Sequence, residues 1–130
     1  MNARQAGTLL ITLALVGTNG LRLGADESHP MTAEQRAELR KSLESTVEAA
    51  TKFIDENPRS VRGYSARGDA YFFLAKFPEA VADYRKMVDL DPSLEQTHWR
   101  LGLAYYYVGE FKKAQRLFEL GYEVDKVDRE

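Results

Sequence analysis

The 130-residue chain holds only two histidines, His29 and His98, and no cysteine. Those counts bound its chemistry. Without thiols there is no disulfide, no thiolate nucleophile and no cysteine-held metal. The histidines do not stand at a histidine-glutamate metal spacing, and no glycine-rich phosphate loop or nucleophile elbow occurs. The carboxylates fall at helical surface spacings and read as solvated faces. No enzyme, cofactor or metal is therefore expected. What the residue types do offer is recognition. Phe72, Phe73, Trp99, Tyr106 and Tyr107 crowd two short segments, and tyrosine and tryptophan combine large contact area, few torsions and a polar tip. Rings at helical spacing also build cores, and Phe73 and Tyr107 fit either role. His98 reads as an ordinary surface or inter-helix histidine.

The elements that must position these rings are helices. Thr32 to Gln35 forms a capping box, and nothing breaks a helix from there to Glu56. Ala37, Leu39, Leu43, Val47, Ala50 and Ile54 fall mostly three and four apart on one face, and Asn57-Pro58 stops the run. A second helix is expected over Val61 to Ala75 and a third from near Pro78 to Leu90, with proline in its first turn. Ser93 to Gln96 reads as another capping box, opening a helix that closes at Val108-Gly109, and a last helix is expected over Lys112 to Val124.

The order of these helices repeats. Gly68, Ala70 and Tyr71 return as Gly102, Ala104 and Tyr105, 34 positions on. Phe77, Ala80, Tyr84 and Asp91 return as Phe111, Ala114, Phe118 and Asp125 at the same offset. The period, and the order of glycine, tyrosine, alanine, aromatic and proline, resemble the tetratricopeptide repeat, in which antiparallel helix pairs stack on their neighbours. The resemblance implies an all-α repeat stack with first repeat 61–94 and second repeat 95–128. Residues 32–57 form a long N-terminal helix that is a degenerate half-repeat, because Leu43, Thr46, Ala50 and Ile54 precede Phe77, Ala80, Tyr84 and Val88 by the same offset. In such a stack Gly68 and Gly102 let backbones approach, and Phe77, Tyr84, Phe111 and Phe118 fill the space between. Arg67 breaks the pattern where the second repeat has Leu101, and reads as a rim residue or as a partner for Asp69 or Glu79.

The formal net charge is −2, with both signs interspersed. Neither a nucleic-acid surface nor a polybasic membrane patch is indicated. Residues 1–25 differ from the rest: Arg4, then an apolar run from Gly7 to Val16, then small residues. That order reads as a secretory signal, with an uncleaved membrane anchor as the alternative, and 26–31 reads as a linker. A small exported protein, periplasmic or secreted, is expected, touching a membrane only if the first segment stays as an anchor.

The resemblance also implies a function: non-catalytic binding of a protein or peptide segment in the concave groove lined by the first helix of each repeat. The matching positions here are Arg62, Ser65, Ala66, Asp69, Phe72 and Phe73, then Gln96, Trp99, Arg100, Leu103, Tyr106 and Tyr107, with Trp99 and Tyr106 the expected exposed contacts. Some family members grip a C-terminal carboxylate with lysines, asparagines and arginines. Here Arg100 and Arg62 fit such a role, but Asp69 stands where an asparagine would face the carboxylate and would repel it. A neutral or zwitterionic segment is expected instead. The competing expectation is a homodimer, or docking onto a larger complex, through the last helix at Leu117, Leu120, Tyr122 and Val124.

Overall fold

The computed structural model describes residues 30–127, and within them every regular element is a helix. Helix α1 spans Ala33–Glu56, α2 Val61–Phe73, α3 Phe77–Leu90, α4 Trp99–Tyr107 and α5 Phe111–Val127. Each packs on the next in chain order, and a 3₁₀ turn at Pro92–Gln96 lies between α3 and α4.

Local chemistry sets the boundaries. Thr32 Oγ1 accepts from the Gln35 amide at 3.1 Å, and Gln35 Oε1 accepts from the Thr32 amide at 2.8 Å, closing the capping box of α1. From Ala33 to Ser42 α1 is exposed throughout, whereas Ala50 and Ile54 enter the core. Only its C-terminal half therefore serves as a packing face. Helix α2 starts at Ser60, whose hydroxyl accepts from the Gly63 amide at 3.1 Å. It stops at Phe73, short of the expected Ala75, because Ala75 takes a left-handed conformation at φ 58°. Gly109, 34 positions on, does the same at φ 82° without the steric cost of a side chain.

The second repeat opens later than its sequence suggests. The Ser93 hydroxyl donates to Asp91 Oδ1 at 2.6 Å and the Ser93 amide to the same atom at 3.1 Å, so the serine is occupied by a turn and does not cap a helix. The cap is instead His98, whose Nδ1 accepts from the Leu101 amide at 3.2 Å, and α4 is left with nine residues. Acceptance by Nδ1 requires the unprotonated ring, and burial pushes the His98 pKa below its usual 6.5. The unfolded chain then binds the proton more readily than the folded one. The His98 contribution is complete above about pH 6.5 and is lost as pH falls toward the folded value. The melting temperature should drop on acidification below about pH 6.5, and a His98→Asn variant, which keeps a capping oxygen that does not titrate, should show a shallower drop in the same scan.

Small residues and rings alternate in the core as the repeat requires. Ala70, Ala80, Ala104 and Ala114 are all but inaccessible, and Tyr84 is the largest fully buried side chain. A Cβ built on Gly68 would lie 2.8 Å from Tyr84 Cε1, and one on Gly102 2.8 Å from Phe118 Cε1. Each glycine makes room for the ring sixteen positions later. The two sites differ in how far the ring can yield, since Tyr84 is sealed and Phe118 is 41 % exposed. Gly121 has only the Gln96 carbonyl near, at 3.5 Å. Gly68→Ala should thus cost about 1–3 kcal/mol from overpacking, and Gly121→Ala should stabilise by up to about 1 kcal/mol through helix propensity, both read from urea midpoints.

Arg67 corrects one expectation. Its partner is neither Asp69 nor Glu79 but Asp83. Nε donates to Oδ2 and Nη2 to Oδ1, each at 2.8 Å, and Nη1 donates to Thr51 Oγ1 at 3.2 Å. Asp83 is the one charged residue buried in the core among the described residues, and this fork ties α1, α2 and α3 together. At the equivalent positions the second repeat has Leu101 and Leu117, both buried. A hydrogen-bonded ion pair in one repeat takes the place of a leucine pair in the other.

Phe111 and Phe118 are a second correction. Both are expected to fill space between helices; Phe118 does so on one side, against Gly102, yet the two rings are 60 % and 41 % exposed, because no described helix covers α5 as α4 covers α3.

Candidate peptide-binding groove

Helices α2 and α4 present the groove positions, and their centre is an electrostatic cluster. Arg100 Nη1 lies 3.6 Å from Asp69 Oδ2. Asp69 is fixed from beneath by the buried Tyr84, whose hydroxyl donates to Oδ1 at 2.7 Å. Burial and this hydrogen bond push the Tyr84 pKa upward, so the phenol keeps its proton and remains a donor. His98 packs its ring on Tyr84 with centroids 4.6 Å apart. Arg100 also lies 4.8 Å from the Trp99 ring centroid, and its Nε is shielded from solvent without an acceptor. At 3.6 Å the Asp69–Arg100 contact is an ion pair rather than a formed hydrogen bond. Both groups retain hydrogen-bonding capacity toward a ligand.

The rings around this centre form a connected series. Phe72 makes edge contacts with Phe73 at 5.8 Å, Phe77 at 5.5 Å and Tyr107 at 6.2 Å, and Tyr107 stacks on Phe77 at 4.3 Å. Tyr106 continues it to Tyr107 and Phe111. Phe72 is half-buried beneath its neighbours, while Phe73 and Tyr107 are 63 % and 57 % exposed. Neither outer ring is core. Trp99 and Tyr106 are exposed too, whereas Ser65 and Leu103 are half-buried.

The eight principal groove candidates do not share one pocket among the described residues. Arg62 and Ala66 line a hollow of about 370 Å³ whose other wall is Thr46, Ala49, Ala50 and Phe53 of α1. Gln96 and Trp99 line another, of about 430 Å³, against Leu117, Phe118, Tyr122 and Val124 of α5. Asp69 and Arg100 belong to neither. The α1 wall escaped the sequence reading because α1 lacks the glycine and tyrosine that mark a repeat. Tyr84 as the anchor of Asp69 was missed as well, although a tyrosine where the second repeat has Phe118 signals a buried hydroxyl in need of a partner.

The self-association residues divide. Leu117 is 7 % exposed and part of the core, Leu120 packs against that core, and Val124 is half-buried. They face inward because α5 covers α4 with this side. Tyr122, 67 % exposed, is the member left outside.

This stack of paired helices is of the tetratricopeptide type. Residues 68–109 match the family model described as TPR repeat. The chain is 35 % identical over 80 residues to a Protein SGT1 homolog of Oryza sativa subsp. japonica, covering 62 % of this chain and 22 % of the relative. It is 32 % identical over 84 residues to Hsp70-Hsp90 organizing protein 3 of Arabidopsis thaliana, covering 65 % and 15 %. To Heat shock protein STI1 of Saccharomyces cerevisiae it is 37 % identical over 87 residues, again covering 65 % and 15 %. The chain thus spans less than a quarter of the length of each of these relatives.

The expectation of an exported protein is overturned by the same comparison, since these relatives are cytosolic co-chaperones. Residues 1–25, on which the signal and anchor readings rested, and most of the 26–31 linker lie outside the described residues. Among the described residues no helix is long and apolar enough to cross a membrane, and no cluster of three or more histidine, cysteine or acidic side chains is placed to hold a metal.

Proposed function

We propose that this chain is a non-catalytic adaptor or assembly module that seats an extended peptide segment along α2 and α4. The observation that carries the reading is the Asp69–Arg100 pair, set among exposed rings on consecutive first helices. A peptide bond offers one donor and one acceptor. Asp69 can take the N–H, Arg100 can give to the carbonyl, and Trp99 and Tyr106 supply apolar contact on either side. The relatives support an interaction role, since proteins named for organizing Hsp70 and Hsp90 carry matching segments.

Asp69 also sets the class of segment. Its carboxylate and Arg100 balance one another, so the centre favours neutral backbone over a free terminal carboxylate. The test is an array of random octapeptides printed twice, with C-terminal amides and with free acids. The wild type should bind a subset of sequences equally well in both forms. Asp69→Asn should raise binding of the free-acid forms by about three- to tenfold, as expected when a like charge is removed from a partly screened site. Wild-type binding confined to free acids, or no binding to either print, would sink the reading.

A further inference from the structure

We propose that the outer face of α5 pairs with α5 of a second copy of this chain, antiparallel about a twofold axis passing between residues 117 and 118. Phe111, Phe118 and Tyr122 recur seven and four residues apart, which puts them on one side of the helix. They are 60 %, 41 % and 67 % exposed and line a hollow of about 620 Å³. The first repeat shows what such a face needs. Phe77, the counterpart of Phe111, stacks on Tyr107 of α4 at 4.3 Å, and Tyr84, the counterpart of Phe118, is fully buried. Among the described residues, helix α5 carries the ring positions of α3 without the cover that α3 receives.

The charges beside the stripe say what covers it. Lys112, Arg116, Glu119 and Glu123 are exposed and flank the three rings on one side. In an antiparallel pair about that axis, Lys112 meets Glu123 of the second copy and Arg116 meets its Glu119. Phe118 then faces Phe118, and Phe111 faces Tyr122. The arrangement is closed, because the same contacts occur twice by symmetry. A slip of seven residues in one direction sets Lys112 against Arg116, and in the other Glu119 against Glu123, so the charges also fix the register. Existing contacts oppose this little. Arg116 reaches Glu95 only at 3.9 Å with both groups exposed, and Glu119 accepts from Gln115 at 2.7 Å while keeping a second oxygen. The pairing rests on the rings and charges of α5; Tyr106, a groove contact, borders the same hollow, but the charge-swap test does not touch it.

Sedimentation equilibrium of the full chain from about 1 to 200 μM tests it, a range that brackets weak dimers. A monomer–dimer equilibrium should appear within that range. Glu123→Lys should weaken dimerisation by about tenfold or more, and Lys112→Glu combined with Glu123→Lys should restore it to within about threefold, as reciprocal charge swaps do. Because these side chains are exposed, far-ultraviolet circular dichroism should be the same for all three proteins. A strict monomer at the highest concentration, a Glu123→Lys variant that dimerises like the wild type, or a double variant that stays as weak as the single one would each overturn the proposal.

Discussion

Asp83→Ala is expected to destabilise the domain by about 2–4 kcal/mol, because it leaves the part-buried Arg67 guanidinium, 19 % exposed, without its counter-charge. The wild-type fork uses both carboxylate oxygens at 2.8 Å, so the substitution removes two charge-assisted hydrogen bonds at once. Thr51 Oγ1 would remain, but a neutral acceptor at 3.2 Å does not replace a carboxylate beside a part-buried cation. A domain of this size has a total stability of roughly 5–15 kcal/mol, so the loss is a large fraction of it and the unfolding midpoint should fall markedly. The second repeat supplies the control. Replacing both partners by the residues at their counterparts, Arg67→Leu with Asp83→Leu, should recover most of the loss or exceed the wild type, since an apolar pair carries no desolvation cost. Urea melts of the single and double variants check this. A double variant as unstable as the single one would show that the fork is more than a substitute for leucine packing.

Trp99→Ala combined with Tyr106→Ala is expected to lower affinity for an array-selected peptide by roughly a hundredfold, near 3 kcal/mol. Both side chains are more than half exposed. Their ring contacts are peripheral, so their removal should cost about 1–2 kcal/mol of folding stability, and a retained cooperative melt separates loss of binding from loss of fold. Trp99 also supplies the ring beside Arg100 at 4.8 Å, so its removal frees the guanidinium as well as the contact area. Isothermal titration calorimetry with the same peptide reads the change directly. An affinity within threefold of the wild type would place the binding energy elsewhere.

The repeat made the architecture legible. Gly68 and Gly102 announce where helices approach, and the rings that meet them stand sixteen positions later in each copy. The polar interior could have been read too, by comparing the copies in pairs. Arg67 and Asp83 are the counterparts of Leu101 and Leu117, and Asp69 and Tyr84 are the counterparts of Leu103 and Phe118. In each case two polar residues in contact replace two apolar ones, and reading positions singly hid this. The start of α4 was less accessible, because Ser93 can cap a helix or close a turn on Asp91, and only tertiary packing selects the turn. The exposure of Phe111 and Phe118 was hidden for a different reason. Their pattern is that of a covered helix, and whether a cover exists is not a property of the segment itself.

The most direct measurement is amide and side-chain shift mapping of isotope-labelled protein during titration with the selected peptide. Saturable shifts are expected at the Trp99 indole N–H, the Arg100 guanidinium and the backbone of Asp69, Leu103 and Tyr106, with the outer faces of α3 and α5 unchanged. Shifts confined to those outer faces, with Trp99 and Arg100 unmoved, would contradict the groove reading.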